Sequence, residues 1–170
     1  VRVLGASAYG ADEVLVSDAT RALIVERGKE DWDSEFGRFP RLFQGAESIP
    51  GLTWPTMTFE RAMSVWLGRR EVRLMHLGRG HTAGDIIVWV PKHKILFAGD
   101  LVEAEAALYT GDAFHMDWST GTLDTVKSFE AETVIGGRGA VARGRDAVDA
   151  AIEQTRGFLK DGFRAIKMKV

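Results

Sequence analysis

The chain has 170 residues, no cysteine, and a formal net charge of −2 from 22 basic and 24 acidic residues. That length suits one domain spanning residues 1–170 with a sizeable core, and near charge balance argues against a nucleic-acid surface. Without thiols, disulfides and thiolate metal sites are excluded and any metal must sit on His, Asp or Glu; no apolar run reaches the roughly 18 residues of a membrane span, and the composition fits a cytoplasmic location.

The opening "VRVLGASAYGADEVLVSD" has no initiator Met and enters apolar sequence at once, so it reads as a cut-off beginning. Residues 3–9 are small and apolar and suggest a buried helix. "EVLVSD" (residues 13–18) reads as a short strand and "ATRALIVERGKED" (residues 19–31) as a helix, an alternation that favours an α/β (α+β) design over an all-β one. Residues 32–55 hold three of the four prolines together with Trp32, Phe36, Phe39, Phe43 and Trp54. They are expected to form a long irregular segment whose aromatics cover the core or line an apolar pocket.

From Thr56 onward the pattern turns to β. "MTF", "SVWLG" and "EVRLMHLG" predict strands, and "DIIVWV" with "KILFAGDLV" predicts a hairpin around "PKHK". Leu123, Val126 and Phe129 fall at helical spacing, with Asp117 or Ser119 as the N-cap. "ETVIGG" predicts a further strand. Val148, Ile152, Thr155, Phe158, Leu159 and Phe163 form one stripe of a closing amphipathic helix, and "RAIKMKV" an exposed end or a late strand.

Two stretches carry chemistry. His81 stands in the turn "GHTAGD" that feeds the first hairpin strand, and Asp100 ends the second strand in "FAGD". Strands of similar length pair so that both side chains reach the same sheet edge, where imidazole and carboxylate suit Zn²⁺, iron or manganese. Spacing alone favours a turn histidine and a capping aspartate, and a catalytic zinc wants three protein ligands.

"HLGRGHTAGDIIVWVPKHKILFAGDLV" (residues 76–102) resembles the middle of a metallo-β-lactamase superfamily hydrolase, in its glyoxalase/lactonase-like branch. The resemblance implies an αβ/βα sandwich, here lacking its first strands, with His81 as a metal ligand and Asp100 as a carboxylate ligand or as the base for water. Set against the family's other motifs, Val1, Arg2 and Arg138 stand where further ligands are expected. Valine cannot ligate and a guanidinium repels a cation, so the second metal site reads as degenerate and one ion, zinc first, is implied. That ion is expected to bind this stretch of chain poorly or not at all, because the remaining histidines would precede Val1. Arg2 and Arg138 are then expected to pair with Asp100 and to grip a substrate carboxylate or phosphate.

His115 is a candidate proton shuttle or extra ligand at the site mouth, in a loop with Asp112 and Asp117. Thr82 and Asp85 are expected to fix the His81 turn, His76 to be packed, and His93 to be solvated at the hairpin tip. The implied activity is metal-dependent hydrolysis of an ester, thioester, lactone or amide of a small anionic substrate. A non-catalytic binding module for a small anion or a protein partner is the competing reading, with metal-dependent redox chemistry a third. No membrane partner is indicated. An incomplete sandwich leaves a sheet face uncovered, which allows a homo-oligomer.

Overall fold

The computed structural model describes residues 2–45 and 51–165. They divide after Phe59 into two compact units.

In the first unit a short parallel pair joins β1 (Leu15–Ser17) to β2 (Met57–Phe59). Between them α1 (Asp18–Arg38) starts where the Ser17 side chain accepts the Thr20 amide, with Asp18 in the first turn opposing the helix dipole. The helix runs on through "WDSEFGR", which was expected to be irregular. Ion pairs at helical spacing, Lys29–Asp33 (2.5 Å) and Glu35–Arg38 (3.7 Å), tie in that extension, and Arg27–Asp31 (3.0 Å) precedes it. Phe39 ends the helix before Pro40, which cannot continue it and opens a 3-10 turn (Pro40–Phe43). Phe43 receives the edges of Trp32 and Phe36 at 5.4 and 5.2 Å. Phe36, Phe39 and Trp54 remain exposed, so these three do not serve as core cover. Residues 2–9 form a 3-10 helix in which Gly5, Ala8 and Tyr9 are exposed rather than buried, Tyr9 to 86%.

Among the described residues the second unit holds a six-stranded mixed sheet in sequential order. It comprises β3 (Ala62–Leu67), β4 (Arg70–Met75), β5 (Ile87–Val90), β6 (Ile95–Gly99), β7 (Thr133–Gly136) and β8 (Ala142–Arg143). Neighbours are antiparallel except β6 and β7, which run parallel after a crossover. That crossover contains a π-helix (Asp117–Thr122) continuing into α2 (Leu123–Ser128). The closing helix α3 spans Arg145–Ala165.

Alternation decides the core. Ile87 and Trp89 of β5, Leu96 and Ala98 of β6, and Val134 of β7 point to one face and are buried. Leu123 and Val126 of α2 and Val148, Ile152 and Leu159 of α3 join the same buried cluster. Thr155 is also buried, its hydroxyl bonded to the Ala151 and Glu103 carbonyls. The expected stripe thus holds at three apolar positions and at Thr155, but Phe158 is largely exposed and the Phe163 side chain lies outside the described residues, as does the tail from 166. No described helix is long and apolar enough to cross a membrane.

Candidate functional site

The antiparallel register of β4 and β5 pairs Met75 with Ile87, so residues 76–86 leave and re-enter the sheet at one end. β6 finishes at that same end, because Val88 faces Phe97 and Gly99 lies beyond. The two predicted residues meet there. His81 Nδ1 lies 3.7 Å from Asp100 Oδ2 and 4.0 Å from Asp85 Oδ1, with the three side chains only 10–15% exposed.

Several bonds fix the His81 turn. Asp85 accepts the Thr82 amide and hydroxyl, both at 2.8 Å, and His76 Nδ1 is 2.8 Å from the Asp85 carbonyl oxygen. Thr82 and Asp85 therefore act as expected, and His76 is a packed brace. His93 is exposed at the far hairpin tip. Burial pushes the Asp85 carboxyl above its ordinary range, and the Asp100 charge adds to this; the two Thr82 bonds and His81 oppose it. With Nδ1 facing two carboxylates, the ring favours the tautomer that carries its proton there. Nε2 is buried and without a hydrogen-bond partner among the described residues.

The wall beside His81 was not foreseen. Trp118 is fully buried, presents an edge to the His81 ring at 6.1 Å, and donates its indole N–H to the Leu101 carbonyl at 3.0 Å. Tyr109 stands 6.1 Å away on another side. The sequence signal was the stripe Trp118, Thr122, Leu123 and Val126, all buried. Trp118 belongs to the π-helical turn, a form of helix frequent at functional sites.

His115 opens this helical stretch and is half-buried, next to Phe114, whose amide bonds the Gly80 carbonyl at 2.8 Å. Asp117 caps nothing; it pairs with Arg79 at 2.7 Å, while the Ser119 hydroxyl bonds back to the Met116 carbonyl.

Arg138 also differs from expectation. Its Nε lies 3.5 Å from Glu103 Oε1, and its Nη1 donates to the Ala107 carbonyl at 3.2 Å, so its contacts run to this segment rather than to Asp100. Glu103 is 1% exposed, and a carboxylate buried that deeply needs a cationic partner. An acid inside the apolar run "LVEA" was the signal for such a partner. The Arg2 side chain and Val1 lie outside the described residues.

Gly137 lies against Asp100. Its amide donates to the Gly99 carbonyl at 2.7 Å, and a Cβ there would overlap Asp100 Oδ1. Gly137→Ala is expected to displace the carboxylate from His81 while leaving the sheet folded. A near-unchanged melting temperature with altered His81 ring shifts in NMR would show this; unchanged ring shifts would refute it.

In kind, His81 and Asp100 suit a zinc ion. In number they do not complete its site: among the described residues no group of three His, Cys, Asp or Glu side chains can hold a metal.

"Metallo-beta-lactamase type 2" of Elizabethkingia meningoseptica is 31% identical over 75 residues, 42% of this chain and 30% of the relative. The protein of that name from Bacillus sp. (strain 170) is 30% identical over 95 residues, 54% of this chain and 37% of the relative. The chain therefore spans about a third of the length of these curated relatives. Among solved structures, a metallo-beta-lactamase from Pontibacter korlensis superposes with a TM-score of 0.67 at 21% identity, covering 92% of this chain and 61% of the other. DIM-1 metallo-beta-lactamase does so with a TM-score of 0.66 at 20% identity, covering 95% and 62%. These likenesses show the fold. The sequence profile of the metallo-beta-lactamase superfamily matches residues 23–138, more than half of the chain, and the chain belongs to that superfamily.

Proposed function

We propose that this chain carries part of the active site of a metal-dependent hydrolase acting on an ester, thioester, lactone or amide of a small anionic substrate. The observation that carries the reading is the buried His81–Asp100 pair, with an unpartnered imidazole nitrogen, at the end of the sheet. The third ligand comes from outside the described residues. A metal held there supplies Lewis acidity toward the scissile carbonyl and lowers the pKa of water toward about 7.

The chain's own residues perform the rest. His81 is held by the Asp85–Thr82 turn with its ring fixed against Trp118. Asp100, beside the ring, accepts a proton from the attacking water. His115, whose neighbour is tied to the His81 loop, returns a proton to the leaving group. Arg138 holds the segment through Glu103 and Ala107, and its remaining Nη2, on a side chain 45% exposed, meets a substrate carboxylate or phosphate. The name of the curated relatives makes a lactam the first amide to assay.

Metal content and turnover of a panel of thioesters, lactones and lactams, measured on the protein in its full natural length, test the reading. About one zinc or iron per protein is expected, with His81→Ala removing both metal and activity. A folded, metal-free, inactive protein would overturn it. The two-donor set makes a non-catalytic anion-binding module the alternative that such a result would favour.

A further inference from the structure

We propose that the sheet end opposite His81 is a second ligand site, which takes a phosphate group. Two hairpin tips meet there. β3 and β4 join through Gly68 and Arg69, with Leu67 paired to Arg70; β5 and β6 join through the 3-10 turn Pro91–His93. The β4–β5 register pairs Arg73 with Trp89, and continuing it outward sets Arg70 level with Lys92. Leu67, Arg69, Arg70 and Lys92 line a cavity of about 250 Å³ between these tips, a volume that holds one or two phosphate groups with their water.

The charge around this cavity is unbalanced. Arg69, Arg70 and Lys92 are exposed, and none of the three makes an ion pair with a described residue. The acids nearest in the sheet are engaged elsewhere: Glu71 receives Arg73 at 2.9 Å and the Ser64 hydroxyl at 2.9 Å, and Glu132 receives Lys94 at 2.9 Å. Like charges at facing positions of an antiparallel pair repel, and this chain is acidic overall, so three cations on one hollow are not general basicity. A compact dianion removes the repulsion and fits the planar donor fork of arginine, which matches two phosphate oxygens at once. Leu67 supplies an apolar floor to one side. The site lies across the sheet from the His81 turn and does not depend on the hydrolase reading.

Titrating the isotope-labelled chain with sodium pyrophosphate and with inorganic phosphate, followed by amide NMR at low ionic strength, tests the proposal. Shifts are expected at residues 67–70 and 92–94 and not in residues 80–85, weakening as salt is added. Arg70→Gln with Lys92→Gln should raise the pyrophosphate Kd by about tenfold or more. If that double variant does not give a folded spectrum, Lys92→Gln alone, in an exposed turn, reports the same contrast. Co-sedimentation with vesicles containing phosphatidic acid, and not with phosphatidylcholine alone, would assign the phosphate to a lipid headgroup; a response to the soluble anions without vesicle binding would assign it to a free ligand. No shift at the two tips with either anion up to about 10 mM and no vesicle binding, or equal binding by the variant, overturns the site.

Discussion

Replacing Gly139 by alanine is expected to lower the unfolding free energy by about 3 kcal/mol or more, read from urea denaturation of the wild type and the variant. Gly139 has φ +84°, in the left-handed region, where a Cβ costs about 1–2 kcal/mol. The larger part is steric: the added carbon would overlap the Ala104 carbonyl oxygen, which is backbone and cannot turn aside. Segments 136–139 and 99–104 must then separate, and that separation takes Arg138 from buried Glu103. Removing one partner of such a pair is the costly way to disturb a buried ion pair. A midpoint within experimental error of the wild type would show that this close approach does not hold in solution. Arg138→Ala, which exposes the same acid without moving backbone, should reproduce part of the loss.

Trp118→Ala should cost about 3–5 kcal/mol, the range for emptying a large aromatic site. The side chain is fully buried, within a cluster that includes Leu101 and Leu123, and its loss also leaves the Leu101 carbonyl without the indole donor. That second part is about 1–3 kcal/mol for an unmet buried acceptor. Trp118→Phe separates the two, since it keeps much of the apolar volume and drops the hydrogen bond; an intermediate loss is expected. Both variants remove the indole edge that presents itself to His81, so ring resonances of His81 should broaden or shift in each. Equal stability of Trp118→Ala and wild type would mean that this wall is not part of the packed core.

The parts of the molecule that were legible beforehand are those where one local rule settles the matter. The β5–β6 hairpin follows from alternation on both sides of "PKHK", and its register brings the His81 turn and Asp100 to one end. α2 and α3 follow from apolar spacing, since Leu123, Val126, Val148, Ile152 and Leu159 are buried. Elsewhere single local patterns mislead. α1 continues through the aromatic-containing stretch 32–38, where Glu35 pairs with Arg38 and Asp33 reaches back to Lys29. Residues 3–9 look like a core helix by composition, yet Gly5, Ala8 and Tyr9 are exposed. β8 is two residues long and exists through its pairing with β7. Within the site, His81, Asp100, Thr82 and Asp85 were readable because the motif is local. Trp118, Glu103 and Gly137 were not, because each matters through a residue 15 or more positions away or through a carbonyl on another strand.

The parallel pairing of β6 with β7 also sets the order in which the molecule can assemble. The hairpins β3–β4 and β5–β6 close through short turns and can form early. Joining Phe97 to Ile135 and Gly99 to Gly136 instead requires the whole intervening crossover to be drawn in, with a larger loss of chain entropy. The carboxylate at the end of β6 has no wall on its far side until that step is complete. A nascent chain therefore acquires its histidine turn first, and the strand that walls Asp100 joins only at the close of folding.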